Sequence, residues 1–157
     1  MGIRTRIFFI TLSCLFVGIS LSFIVAERDL SIKLQAQIET ELSRQAKILR
    51  KSISGLIDSG DLVALKSEAD EYASASDSRI TIILKNGDVI VDSDIEASRI
   101  NDLDNHSDRP EIISAFNNGY GSSKRFSSTV KKEMFYFALL DKTNNQERVI
   151  RISVPYE

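Results

Sequence analysis

The chain has 157 residues, of which 43% are hydrophobic and 27% are charged, and its formal net charge is −2. This composition is typical of one globular domain, and the slightly acidic balance gives no indication of nucleic-acid binding. The single cysteine, Cys14, excludes an intrachain disulfide, so the folded part depends on its apolar core.

The first predicted element is a membrane helix. Residues 7–26 are twenty uncharged residues, enough for a helix to span the roughly 30 Å hydrocarbon core of a bilayer. Because Arg4 and Arg6 precede this run, the positive-inside rule predicts that residues 1–6 are cytoplasmic and residues 27–157 lie outside. A cleaved signal peptide is the alternative, but its apolar core is usually shorter and ends at an A-x-A-like site. We therefore expect an uncleaved anchor.

A long helix is predicted to continue from this anchor through residues 27–57. No proline or glycine lies between Gly18 and Gly55, and apolar residues recur at steps of three and four, which is typical of one helix face. The residues of this stripe are Leu34, Ile38, Leu42, Ala46, Leu49, Ile53 and Leu56.

Residues 58–157 are predicted to form a separate domain. A short helix begins near Asp61, and the apolar pattern then changes to that of strands. Strands 79–84 and 88–92 are joined by Asn86-Gly87, a pair that favours the positive φ angles of a tight hairpin turn.

A polar connection, residues 93–107, leads to a short helix with marked ends. Asp108 is the predicted N-cap, Pro110 suits the first turn, and Glu111 stands where a capping box requires it. Residues 117–119, Asn-Asn-Gly, predict a left-handed end to this helix.

Three further strands, residues 121–130, 133–141 and 147–156, are predicted to complete the chain. Lys131-Lys132 and the segment KTNNQ mark the two turns between them. Because all connections are short, the strands should be antiparallel. The expected fold class is α+β, with a five-stranded antiparallel sheet and helices packed on one face.

The sequence contains no catalytic constellation. Its one histidine and one cysteine fall on opposite sides of the predicted membrane boundary, and no nucleophile elbow, phosphate loop, dinucleotide fingerprint or zinc spacing occurs. We therefore predict no catalytic residue and no cofactor in this chain.

Acidic residues are concentrated between Asp88 and Glu111. Their carboxylates suggest a cation site, for which the candidate ligands are Asp92, Asp94, Asp102 and Asp104. The spacing does not match an EF-hand, and a solvated loop is the favoured alternative.

A second candidate site combines basic and aromatic residues on the predicted sheet. Tyr120, Arg125, Thr129, Tyr136 and Arg151 are candidates to line a concave face that receives an anionic or small polar ligand. The structural alternative pairs Arg125 or Arg151 with Asp92 or Glu111.

His106 and Arg109 precede the predicted helix. They are placed either to tie the loop down or to contact a signal. As a catalytic base or a metal ligand, His106 lacks partners, so the architectural interpretation is favoured.

Residues 79–155 carry six short motifs in a fixed order. They are Asp-Ser-Asp (92–94), Asn-His-x-x-Arg-Pro-Glu (105–111), a glycine pair (119 and 121), Arg-x-Ser-Ser-Thr (125–129), Met-x-Tyr-x-Ala (134–138) and Val-x-Arg-x-Ser-x-Pro (149–155). In combination they resemble the extracytoplasmic sensor domain of bacterial membrane histidine kinases of the phosphate-regulon sensor type.

This resemblance implies a PAS-like fold on a bacterial plasma-membrane protein, with a second membrane helix and kinase domains expected after residue 157. ATP and magnesium would be needed only in those domains. The implied partners are a second copy of the chain, a cytoplasmic response regulator, and a signal that is a small molecule, a cation or a protein.

Two other protein classes remain open. The sensor domain of a chemoreceptor or of a cyclic-dinucleotide enzyme has the same fold and differs only in its cytoplasmic part. A pilin-like assembly protein is disfavoured because such proteins carry a glutamate within the apolar segment, whereas here no acidic residue precedes Glu27.

Overall fold

The computed structural model describes residues 2–127, 130–143 and 146–156. The elements in chain order are α1 (Ile3–Ser59), α2 (Leu62–Ser76), β1 (Arg79–Leu84), β2 (Val89–Asp92), a 3₁₀ helix (Ala97–Asp102), α3 (Pro110–Asn118), β3 (Tyr120–Ser127), β4 (Lys132–Thr143) and β5 (Gln146–Pro155). The chain divides into two compact units, one up to Ile38 and one from Glu39 onward.

The first unit is the N-terminal part of α1. This helix contains a segment long and apolar enough to cross a membrane, and none of that segment is buried. Its large apolar side chains, such as Phe16 and Phe23, are exposed. α1 continues without a break to Ser59, which confirms the long helix predicted to follow the apolar segment.

The second unit contains a five-stranded sheet in the order β2-β1-β5-β4-β3. Every neighbouring pair of strands is antiparallel, as predicted. The predicted hairpin between β1 and β2 is present, with Gly87 at a φ of 89°. Lys131 lies in the turn before β4, with a φ of 59°. The centre of the KTNNQ loop, residues 144 and 145, lies outside the described residues.

One face of the sheet is entirely apolar in its centre. The buried side chains that point to this face are Ile80, Ile82, Phe135, Phe137, Ile150 and Ile152. The apolar stripes of α1 and α2 cover them through Leu42, Ala46, Leu49, Ile53, Leu65 and Ala69. Of the predicted α1 stripe, Leu42, Ala46, Leu49 and Ile53 are therefore buried. Ile57 is buried in place of the predicted Leu56, which is half-buried, and Leu34 is 47% exposed.

The opposite face is covered by α3. Ile112 and Ala115 of α3 pack against Ile83, Ala138 and Val149. The expectation that helices pack on one face only is therefore wrong. β4 is buried at every position from Met134 to Asp141, and a strand without exposed alternate residues needs cover on both faces.

The start of α3 differs from the predicted capping box. Arg109, not Asp108, is the N-cap, and no capping side chain accepts a hydrogen bond from the backbone N–H groups of the first turn. Pro110 occupies the first turn and holds the preceding residue in an extended conformation, since a proline disfavours helical angles before it. Glu111 then points toward the sheet. The left-handed end at Gly119 is confirmed, with a φ of 89°.

Gly121 of β3 sets how closely α3 approaches the sheet. A Cβ atom at this position would collide with the carbonyl oxygen of Glu111 and lie 2.6 Å from the Ser114 Cβ. Only a residue without a side chain permits this distance. Gly121 therefore allows α3 to bring Glu111 onto the polar part of its face.

Replacing Gly121 by alanine should lower the free energy of unfolding by about 1–3 kcal/mol, because the backbone of α3 must move away from β3. Urea unfolding of the full chain in detergent micelles, followed by tyrosine fluorescence, measures this change.

Gly55→Ala is the matched control. Gly55 lies inside α1 with no atom near its added Cβ, so the same substitution should stabilise the protein by about 0.5–1 kcal/mol. Equal effects of the two substitutions would contradict a close approach at Gly121.

Candidate functional site

The α3 face of the sheet carries a buried ion pair at its β1–β2 end. Arg79 donates from Nε to Asp92 Oδ1 at 2.9 Å, and the Thr81 hydroxyl donates to Asp92 Oδ2 at 2.9 Å. The strand register places these residues together, since Thr81 is opposite Asp92 on one side and opposite Arg151 on the other. The Asp92 carboxylate is therefore fully engaged.

Glu111 receives two arginines. Its Oε1 atom lies 3.4 Å from Arg151 Nη1 and 3.3 Å from Arg125 Nη2, while the Ser123 hydroxyl donates to Oε2 at 2.6 Å. Glu111 has no exposed surface and Arg151 is 3% exposed. The structural pairing considered for Arg125 and Arg151 is thus present, and both pair with the same carboxylate.

Tyr136 lies between the same two arginines. The Cζ atom of Arg125 is 4.0 Å from the centre of the Tyr136 ring, and that of Arg151 is 5.2 Å away. Such cation–π contacts contribute about 0.5–2 kcal/mol, depending on how far the cation is removed from water. We call the set Arg79, Asp92, Glu111, Arg125, Tyr136 and Arg151 the arginine cluster.

Arg151 and Glu111 are both charged at neutral pH. Burial lowers the pKa of Arg151 to about 10, which leaves it protonated. Burial raises the pKa of Glu111, but the hydrogen bond from Ser123 and the charges of Arg151 and Arg125 outweigh it, so this pKa lies below its ordinary value.

Several buried donors of this region lack an acceptor. The Nε atoms of Arg125 and Arg151 and the hydroxyl of Ser153 form no hydrogen bond with the described residues. An unsatisfied buried polar group costs about 1–3 kcal/mol. The cluster therefore has spare hydrogen-bonding capacity, mostly on cationic groups.

The loop that precedes α3 is fastened to the β1–β2 turn. The Asn105 side-chain amide donates to Asn86 O at 2.9 Å, and the His106 backbone N–H donates to Gly87 O at 2.9 Å. A Cβ atom at Gly87 would lie 2.5 Å from the Ser107 nitrogen. The Asn-Gly turn is therefore also the support on which the loop rests.

This support places His106 beside the arginine cluster. Burial lowers the pKa of His106, and the charges of Arg151, Arg109 and Arg125 lower it further, although the Asp104 carbonyl at 2.6 Å from Nδ1 opposes them. His106 is thus neutral at pH 7 and lies in the positive field of three arginines.

Of the predicted ligand-binding residues, the structure brings together Arg125, Tyr136 and Arg151, with His106 and Arg109 nearby. Tyr120 does not join them, because it stacks on Phe137 on the opposite face of the sheet, with ring centres 6.3 Å apart. Thr129 lies outside the described residues.

The sequence analysis does not identify four polar residues of the α3 face that surround the cluster. They are Arg79, Thr81, Ser123 and Ser153. The alternation of β1, in which Arg79 and Thr81 flank Ile80, indicates that two polar side chains share a face. This alternation is visible in the sequence, but only the β1–β5 register shows that the two side chains lie next to Arg151 and Ser153.

The aspartates proposed as cation ligands do not converge. Asp92 is bound to Arg79, Asp94 Oδ2 lies 3.7 Å from Arg79 Nε, and Asp102 Oδ2 lies 3.8 Å from Arg99 Nε. Asp104 is exposed. Within residues 2–127, 130–143 and 146–156, no three His, Cys, Asp or Glu side chains are arranged to hold a metal ion.

Comparison with solved structures identifies the fold. The sensory domain of the Campylobacter jejuni chemoreceptor Tlp3, with isoleucine bound, is similar with a TM-score of 0.57 and 12% identity, over 77% of this chain and 54% of that one. The sensor domain of the Vibrio cholerae histidine kinase DctB has a TM-score of 0.54 and 14% identity, over 85% and 57%. A methyl-accepting chemotaxis protein from Vibrio parahaemolyticus has a TM-score of 0.50 and 12% identity, over 79% and 95%.

The chain thus has the fold of bacterial PAS-like sensor domains, as the motif resemblance implied, and spans about half the length of the first structures that it matches. The phosphate-regulon type stays a prediction. No protein-family model and no curated protein matches the sequence.

Glu111→Gln tests whether this carboxylate holds the cluster together. Removing Glu111 leaves the buried Arg151 without its ion-pair partner, and breaking a buried pair in this way costs about 3–5 kcal/mol in the free energy of unfolding. Urea unfolding of the full chain in micelles measures the loss.

Glu147→Gln is the control, since Glu147 also faces two cations, Lys85 at 2.6 Å and Lys142 at 2.8 Å, but at the surface. Its substitution should change stability far less. A loss as small for Glu111→Gln would show that the cluster does not depend on the carboxylate.

Proposed function

We propose that this chain is the sensing region of a membrane-anchored bacterial signalling protein, and that the arginine cluster binds the anionic group of a small-molecule signal. The observation that carries this proposal is that Arg125 and Arg151 share a single carboxylate, Glu111. The α3 face therefore holds more fixed positive than negative charge.

The charge count supports an additional anion. Arg79 is matched by Asp92, while Arg125 and Arg151 have only Glu111 between them. Asp94 adds little because its side chain is 48% exposed and its charge is shared with solvent. A ligand carboxylate or phosphate would complete the pairing, and arginine binds such planar or multi-oxygen groups with two parallel hydrogen bonds.

The spare donors give the anion specific partners. Arg125 is the most accessible arginine of the cluster, and its Nε atom is unpaired, as are Arg151 Nε and the Ser153 hydroxyl. Among the similar structures, Tlp3 holds isoleucine, a small molecule with one carboxylate. A small carboxylate or amino acid is therefore the ligand class that we favour.

The orientation and output of the protein follow from the same proposal. Residues 1–6 lie in the cytoplasm, residues 7–26 span the membrane, and the sensor domain lies outside. β5 carries Arg151 and leads toward a second membrane helix in the parent protein. A ligand bound at Arg151 changes the balance between two arrangements of β5 and α1, and paired copies of the chain pass that change inward.

His106 offers a direct test of ligand binding, because it is the single histidine of the chain. In the full chain, carrying no histidine tag and held in micelles, NMR titration should give it a pKa below 6.5, the ordinary value. A bound anion stabilises the protonated ring, so L-isoleucine, malonate or inorganic phosphate should raise this pKa.

Arg125→Gln should abolish the shift caused by the anion, whereas Arg99→Gln, a surface arginine of the 3₁₀ helix, should retain it. If none of the amino acids, mono- and dicarboxylates and phosphate changes the His106 titration, the cluster is structural and the proposal fails.

A histidine kinase is the output that we favour, on the strength of the motif order and the similarity to the DctB sensor domain. A chemoreceptor is the second candidate, because Tlp3 and the Vibrio parahaemolyticus chemotaxis protein share the fold. The coding sequence downstream of codon 157 distinguishes them. A kinase requires a dimerisation helix with a phosphorylated histidine and an ATP-binding domain, whereas a long heptad-patterned coiled coil would identify a chemoreceptor.

A further inference from the structure

A second charged site lies away from the arginine cluster, in a groove between α1 and β4. The groove has a volume of about 720 Å³ and shares no residue with the cluster. Its charged lining residues are Lys47, Arg50 and Lys51 from α1 and Asp141 and Lys142 from β4. We call it the basic groove.

The three cations of α1 lie on one face of the helix. Lys47, Arg50 and Lys51 are spaced by three and four residues, so their side chains are neighbours. Like charges at this spacing repel and destabilise a helix. Among the described residues, none of the three forms an ion pair. No described carboxylate therefore relieves the repulsion.

The acidic residue of the groove, Asp141, binds other partners than the α1 cations. Asp141 is 4% exposed, its Oδ2 lies 3.5 Å from Arg148 Nε, and both of its carboxylate oxygens accept from the Thr143 hydroxyl at 3.0 Å. Lys142 is turned to Glu147 at 2.8 Å. Asp141 consequently does not neutralise the α1 cations.

Arg50 lies between the two lysines at the wall of the groove. It is partly buried, and its Nη1 atom lies 3.5 Å from the Leu140 carbonyl oxygen of β4. Lys47 and Lys51 flank it and are exposed. One planar and two point-like cations on one wall of a cavity suit a ligand with several anionic groups.

We propose that the basic groove binds a small multivalent anion of the oligophosphate or polycarboxylate class. This site is independent of the arginine cluster, so it stands whether or not the cluster binds a signal. The bound anion bridges Lys47, Arg50 and Lys51 and removes their mutual repulsion.

Isothermal titration calorimetry of the full chain in neutral detergent micelles tests the proposal with inorganic tripolyphosphate and with citrate. At least one should bind, and its affinity should fall as the salt concentration rises. Which of the two binds more tightly identifies the anion class.

The double variant Lys47→Gln/Lys51→Gln should weaken binding about tenfold or more. Because both lysines are exposed, this variant should fold normally, with an unchanged or higher melting temperature.

The double variant Arg28→Gln/Lys33→Gln is the matched control, since it removes the same charge from exposed positions of the same helix outside the groove. It should bind as the unmodified chain does. The proposal is overturned if neither anion binds, if the control loses as much affinity, or if Arg125→Gln abolishes binding while the Lys47/Lys51 variant retains it.

Discussion

The α3 face depends on one buried carboxylate. Glu111 is removed from water and placed between two guanidinium groups, with a serine hydroxyl on its second oxygen. Three backbone features bring it there. Pro110 starts α3, Gly119 ends it, and Gly121 lets it lie against β3. The backbone conformations at Pro110, Gly119 and Gly121 thus place the Glu111 carboxylate in the interior. That carboxylate in turn allows Arg151 to be buried, and Arg125 to be partly buried, beside it.

The two faces of the sheet differ in polarity. The face under α1 and α2 is apolar and provides the hydrophobic free energy, with about 1.5–3 kcal/mol for each fully buried aliphatic side chain. The face under α3 is apolar near Ile112 and ionic near Arg151. A stable core on one side allows the other side to retain unsatisfied donors, which a small domain could not otherwise tolerate.

Much of this fold is predictable from local sequence. The steps of three and four through Leu42 and Ile53 predict the buried stripe of α1, and Asn86-Gly87 predicts the first hairpin. The side of the sheet on which α3 packs is not predictable in this way, since it depends on pairing between strands that are distant in sequence. The N-cap differs from the prediction because Asp108 satisfies only the local residue preference, whereas Pro110 imposes the extended N-cap conformation on Arg109.

Part of the site is predictable from local sequence. Composition and strand alternation point to Arg125, Tyr136 and Arg151. Tyr120 belongs to the same strand as Arg125 but lies at the opposite parity, so its side chain points to the other face. The part played by Glu111 required knowledge of tertiary structure, because a glutamate in the first turn of a helix is ordinarily exposed to solvent.

The uninterrupted burial of β4 means that hydrophobic alternation alone does not define how this strand pairs with its neighbours. Shifted by one position, β4 would still present apolar residues to both covering layers. The same shift in β5 would exchange Arg151 with Ile150 or Ile152 and leave a cation among α1 and α2 without a partner. The arginine cluster therefore favours the native strand register over alternatives that would bury a similar apolar area.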